Sequence, residues 1–246
     1  MSDFLPLLFL TTLGSFAGLL GGIVFLFVTP WSKLLARYSI PFAAGIFLSA
    51  SLIGVLPEAI ELAGVDILLT VLLAFLAAYL LETFVVDVHH HDDRGHTHAH
   101  TSSTKLIVIG DTIHNLVDGI AIAVAYLASP GLGIITAIST LLHEIPHEIG
   151  DFGILLKAGW AKRRILITNI VSASFAIFGS LLVFFLHPSP QVQAQLLAAT
   201  AGIFLYLCAV DFLPQSQKNT NRKQTVSALL LGVFLMLAVI YLVPHH

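Results

Sequence analysis

Apolar residues in this chain run together in long blocks, and short polar stretches separate one block from the next. About 20 consecutive apolar residues is the length an α-helix needs to cross the hydrocarbon of a bilayer. Eight blocks reach it, at residues 4–28, 39–62, 66–88, 105–129, 131–156, 164–187, 191–215 and 223–243. The pattern predicts an all-α, polytopic membrane bundle of eight transmembrane helices, forming one transmembrane domain over residues 1–246.

Two of the blocks share a sequence. AGIFLSASLIGVLPE begins at Ala44 and AGIFLYLCAVDFLPQ at Ala201; they align without gaps, with AGIFL, a later Leu-Pro, and Pro57 and Pro214 in register. The first copy lies on the second block and the other on the seventh, so the two cross the membrane in opposite directions. Blocks one to three and six to eight are therefore expected as an inverted pair around the fourth and fifth, a 3+2+3 arrangement. Inverted repeats that bracket a midplane site recur in secondary transporters.

Composition agrees with the membrane reading. The chain is 57% hydrophobic and 10% charged, which excludes an ordinary soluble globular domain. All 11 Lys and Arg follow odd-numbered blocks: Lys33 and Arg37, Arg94 and Lys105, then Lys157, Lys162, Arg163 and Arg164, and finally Lys218, Arg222 and Lys223. Basic residues in short loops stay cytoplasmic, so both termini are expected outside the cytoplasm. Ser2 and Asp3 stand where a signal peptide is basic, and the apolar stretch that follows is too long for a cleaved segment, so the first block reads as a span. A single cysteine, Cys208, excludes an internal disulfide framework. The net charge of -3 argues for no particular partner. The lipid bilayer is an expected partner, and nucleic acid is not. The plasma (inner) membrane is the expected location, and a homodimer is carried as the oligomeric option.

Two polar clusters stand out within the apolar blocks, in DTIHNLVDGIAIA (Asp111 to Ala123) and STLLHEIPHEIGD (Ser139 to Asp151). Ionisable groups at membrane depth cost roughly 2.5–3.5 kcal/mol each on insertion scales, so they usually pair, bind ions or line a path. His114 and Asp118 share a helix face with Asn115 beside them, and His143 and His147 share another, with Glu144 one turn from His147 and Glu148. The SPG turn between the clusters makes the two helices antiparallel neighbours. His114 and His147 both lie about 13 Å from the cytoplasmic helix ends at 1.5 Å per residue, so the clusters meet near the midplane. Imidazole and carboxylate suit zinc and its first-row neighbours, and the acids Asp118, Glu144 and Glu148 can neutralise one or two divalent cations. Pro146 frees the Leu142 carbonyl and predicts a kink.

HEIPH also fits the H-E-x-x-H signature of zinc peptidases, so an intramembrane zinc metalloprotease using His143, Glu144 and His147 is the rival reading. Pro146 inside the motif and the duplicated ligands of HNLVD weigh against it. Further candidates lie around this centre. Asp111 and Asp151, each one turn toward the cytoplasm, suit metal exit. Glu58 and Glu61 at the outer end of the second block suit the entrance. Asp211 is an intramembrane acid near Cys208. In the His-rich cytoplasmic loop at 89–104, His89, His90, His91, His96, His98 and His100 suit loose and reversible metal contact.

HNLVDG and HEIPHEIGDFGILLKAG, together with the His-rich loop after the third block and LPEA closing the second, resemble the ZIP (Zrt/Irt-like) family of divalent metal transporters. The resemblance covers the whole chain. It implies a non-enzymatic transporter domain that moves zinc, with Fe2+, Mn2+ or Cd2+ as alternatives, toward the cytoplasm through a site, often binuclear, between the fourth and fifth helices. Carried onto this chain, it implies that His114, Glu144 and His147 form one metal position, while Asn115, Asp118, His143 and His147 form or share a second. Some members complete the second position with a Glu on the sixth helix. Here NIVSASFAIF, Asn169 to Phe178, contains no acid, and Asn169 is the available substitute.

Overall fold

Apolar blocks of this length satisfy their backbone polar groups internally as helix, and the computed structural model is helical wherever they occur. It describes residues 3–87, 99–219 and 221–244, and contains no strand among them. In chain order the helices are α1 (Phe4–Phe16), α2 (Leu19–Phe27), α3 (Thr29–Ser49), α4 (Leu56–Ala63), α5 (Leu68–Asp87), α6 (Ala99–Ala128), α7 (Pro130–Lys157), α8 (Lys162–Leu186), α9 (Pro190–Tyr206), α10 (Leu213–Asn219) and α11 (Arg222–Leu242). Among the described residues, six stretches are long and apolar enough to cross a membrane: Phe4–Phe27, Tyr38–Ala63, Ile107–Ala128, Lys162–Leu186, Pro190–Gln217 and Arg222–Leu242. Val65–Leu81 is apolar but shorter. The 28 residues of α7 are long enough, and its His, Glu and Asp side chains keep it out of the apolar set.

Three local features add detail to the pattern read off the blocks. The first block is two helices that meet at Ala17–Gly18, where Leu20 N–H donates to the Ala17 carbonyl and Gly21 N–H to that of Gly18. The break lies against α7, and a Cβ added at Gly18 would stand 2.4 Å from Glu144 Cβ, so only glycine permits the approach. Helix α6 is already helical at Ala99, ahead of its apolar block, where the described residues resume. Helix α7 runs without interruption through Pro146, so the proline does not end the helix. The loop histidines His89, His90, His91, His96 and His98 lie outside the described residues, and of His100 only the backbone belongs to them.

The two AGIFL segments fold alike. Helix α3 passes into a π-helical stretch at Ala50–Val55 and then α4, while α9 passes into a π-helical stretch at Leu207–Phe212 and then α10. The two inner boundaries, where each helix enters and leaves its π-helical stretch, lie the same number of residues apart in the two copies. Hydrogen bonds tie the copies together reciprocally: Ser51 Oγ donates to the Ala201 carbonyl at 2.8 Å, and Cys208 Sγ donates to the Ala44 carbonyl at 3.3 Å. Ser51 and Cys208 are equivalent positions, as are Ala44 and Ala201. Outside this pair, α3 packs along α11 and α9 packs along α5. Gly45 and Gly202, again equivalent, make both contacts backbone-close. A Cβ at Gly45 would lie 2.2 Å from the Leu229 carbonyl oxygen, and one at Gly202 would lie 2.3 Å from that of Val71.

Helix α7 lies in the middle, in contact with α1, α2, α3 and α6. Helix α6 in turn lies along α8 so closely that a Cβ at Gly119 would fall 1.9 Å from the Ala176 carbonyl oxygen. Many large apolar side chains also point outward, including Leu73, Phe178, Phe185, Leu231 and Phe234, as expected where the surrounding solvent is lipid. Lys162 Nζ donates to the Leu26 carbonyl at 2.7 Å, which joins the start of α8 to the end of α2 and places a cation on a helix C-terminus.

Candidate metal centre

Helices α6 and α7 are antiparallel neighbours because only Ser129 separates them. Their apolar faces pack, and the polar positions described in the sequence are left facing each other in the interior. His114, Asp118, His143 and Glu144 each offer one ligand atom within 4.8 Å of the others. His143 Nε2 is 2.9 Å from Asp118 Oδ2 and 3.9 Å from Glu144 Oε1. His114 Nε2 is 3.1 Å from Glu144 Oε1 and 3.7 Å from Asp118 Oδ2. Four ligands about 2.0–2.1 Å from one zinc stand roughly 3.3–3.4 Å apart in a tetrahedron. The four separations above, 2.9 to 3.9 Å, scatter about that value, so the group is compact enough to close on a single zinc ion.

The cage is dry. The Asp118, His143 and Glu144 side chains are at most 2% exposed and that of His114 is 14% exposed. Buried polar atoms almost always have hydrogen-bond partners, yet among the described residues His143 Nδ1, Asp118 Oδ1 and Glu144 Oε2 have none. Leaving carboxylate oxygens buried and unpartnered is costly unless a cation is their partner.

A second cluster lies one turn away. Asp111, His147 and Asp151 bring one ligand atom each within 4.8 Å of one another, with His147 Nδ1 at 3.7 Å from Asp111 Oδ1. It is the more open of the two, since the His147 side chain is 24% exposed. The clusters touch through their imidazoles: the His114 and His147 rings stack with centroids 4.5 Å apart and 28° between planes.

The structure groups the sequence candidates differently from the family carry-over. His147 stands with Asp111 and Asp151, while Asp118 and His143 join His114 and Glu144. Asn115 contributes no atom to either group of ligand atoms, and it borders the second through Asp111. Its Nδ2 donates to the Asp111 carbonyl and carboxylate at 3.1 and 3.0 Å, and its Oδ1 accepts from Ser15 Oγ at 3.1 Å. Glu148 is wholly buried, both of its oxygens lack a partner, and it belongs to neither group. On α8, Asn169 Nδ2 turns back to its own helix at the Ile165 carbonyl, 2.8 Å away. Glu58 is half-buried and Glu61 exposed at the end of α4, beside a groove of about 470 Å³ shared with Tyr241 and Pro244. Asp211 is half-buried and accepts from Gln215 Nε2.

Sequence reasoning passed over several residues at this centre. Ser15 anchors Asn115. Thr136, Ser139 and Thr140, on the turns of α7 that precede His143, are buried hydroxyls without a partner. Phe47 and Phe204 pack directly on His143. The alignment of the two AGIFL copies contained the signal for the phenylalanines, since it sets them at equivalent positions.

Comparison with known proteins gives a consistent result. The family described as ZIP Zinc transporter matches residues 89–240. The Caenorhabditis elegans protein "Zinc transporter zipt-7.2" is 36% identical over 139 residues, which cover 53% of this chain and 30% of that protein. Human "Zinc transporter ZIP5" is 36% identical over 148 residues, 58% of this chain and 27% of that protein. Mouse "Zinc transporter ZIP10" is 40% identical over 111 residues, 45% of this chain and 13% of that protein. The matched region is thus under a third of each relative's length.

Proposed function

The chain belongs to the ZIP zinc transporter family, an integral multi-pass membrane family of transporters and not enzymes, and from that premise we propose that it carries zinc toward the cytoplasm through the α6–α7 cage. The observation that carries the reading is the set of four buried ligand atoms that lie close enough together to share one zinc ion. Asp118 and Glu144 together neutralise one divalent cation, which makes the ion tolerable in a low-dielectric interior. The protease reading of His143, Glu144 and His147 falls away with the family. His147 also sits in the other cluster, so the two motif histidines do not form the paired ligands that chemistry needs.

Asp111, His147 and Asp151 are the next stop. Two carboxylates and one imidazole in a more exposed setting hold zinc less tightly than the cage, and Asp151 lies toward Lys157 and the basic end of α7. The stacked His114 and His147 rings keep the step between stops short. Fe2+, Mn2+ and Cd2+ are alternative cargo that the same donors accept.

The reading includes eight spans, with α5 and α7 counted among them, both termini outside the cytoplasm, and a 3+2+3 inverted repeat. The identical helix–π–helix order of the two AGIFL copies and their reciprocal hydrogen bonds support the repeat. Movement of the α6–α7 unit against the repeat-bearing helices would expose the cage to each side in turn. Zinc uptake into proteoliposomes tests the site. His143→Ala and Glu144→Ala are expected to abolish uptake, and wild-type rates in both would overturn the assignment.

A further inference from the structure

Imidazoles that bind metal usually donate their other ring N–H to a carboxylate or carbonyl, which fixes the ring and its tautomer. His143 does not: its Nε2 meets Asp118, and its Nδ1 has no hydrogen-bond partner. Yet the ring is wholly buried and aimed at the cage. Two aromatic rings hold it there. Phe47 stacks on it face to face, with centroids 4.2 Å apart and 27° between planes. Phe204 meets it edge-on at 5.7 Å and 70°. The phenylalanines also touch each other at 5.1 Å and are at most 1% exposed. They are the fourth residue of each AGIFL copy, so one cradle is built from equivalent positions of the two repeats.

We propose that Phe47 and Phe204 are positioning residues that hold the His143 imidazole in its cage-facing orientation, doing with ring contacts what a hydrogen bond donated by Nδ1 does in other metal sites. The proposal rests on His143 being a zinc ligand. Because neither ring offers a lone pair or an N–H, the cradle orients the imidazole without competing for the cation. It also leaves the choice of tautomer to the cage side, where Asp118 lies. Aromatic pairs contribute about 0.5–1.5 kcal/mol beyond simple burial, which converts to roughly a two- to twelve-fold change in a binding constant.

The test is the concentration dependence of zinc uptake by the full chain in proteoliposomes, for Phe47→Leu, Phe204→Leu, Phe47→Tyr and Phe212→Leu, beside His143→Ala. Phe212 packs on Phe47 at 5.3 Å and, among the described residues, has no ring contact with His143, so it controls for packing alone. Phe47→Leu is expected to raise the apparent KM within that two- to twelve-fold range with little change in maximal rate, and Phe204→Leu to raise it less. Phe47→Tyr keeps the stacking face and should stay near wild type, as should Phe212→Leu. If Phe47→Leu does not yield monodisperse protein, the contrast between Phe204→Leu and Phe212→Leu decides the matter. An unchanged KM in Phe47→Leu and Phe204→Leu with uptake lost in His143→Ala overturns the cradle and leaves the site standing. A Phe212→Leu shift as large as theirs also overturns it, because packing would then explain the effect. Wild-type uptake in His143→Ala overturns both readings.

Discussion

The two clusters on α6 and α7 use the same residue types for different ends. The cage has four donors, half of them imidazole, and is almost wholly shut off from the surroundings. The group of Asp111, His147 and Asp151 has three, mostly carboxylate, and its imidazole is partly exposed. Each has two acids and so balances one divalent cation. What differs is the number of donors and how dry they are, and both favour tight holding in the first and release from the second. A path that only bound zinc strongly would not conduct it, so under the proposed function the contrast itself is what permits transport.

The contrast can be broken most severely from the cage side. Asp118→Ala removes a ligand and the partner of His143, and it is expected to lower zinc affinity of purified protein by on the order of a hundred-fold or more, with uptake lost. Asp151→Asn should do less, slowing uptake while leaving zinc binding to purified protein nearly intact. Equal loss of binding in the two variants would mean that the clusters are one site. Asn115→Ala probes the frame and not the ligands. It removes the amide bonds to Ser15 Oγ and the Asp111 carboxylate, although Ser15 keeps its bond to the Ala173 carbonyl, and should lower thermal stability by about 1 kcal/mol while zinc still binds. Cys208→Ser substitutes the residue that already serves at Ser51, so its effect on melting temperature and uptake should be the smallest, within about 0.5 kcal/mol.

Much of this could be read from the chain. Block lengths gave most helix ends to within a few residues, because apolar length is what lipid imposes on a helix. The breaks within helices were less visible. The joint at Gly18 depends on how closely Glu144 approaches, and the π-helical stretches depend on how the two AGIFL copies meet, and both are properties of packing.

The same distinction explains the site. Helical periodicity correctly placed His143 and His147 on one face, but one face is not one level. Counting outward from Pro130, Asp118 and His143 are nearly equidistant, as are His114 and His147, and Asp111 and Asp151. In an antiparallel pair those residues meet, so the turn position already implied that Asp118 lies by His143 and Asp111 by Asp151, while the facing pair His114 and His147 is divided between the two clusters. Asn115 escaped this count because its amide serves Ser15 on α1, a contact no local spacing announces.

Cys208 and Ser51 exchange equivalent bonds across the centre of the protein, one through sulfur and the other through oxygen. Nature has thus written a single atomic label into one of two otherwise matching halves. An infrared band from that lone S–H would watch one half of the machine alone, without any foreign probe having been added.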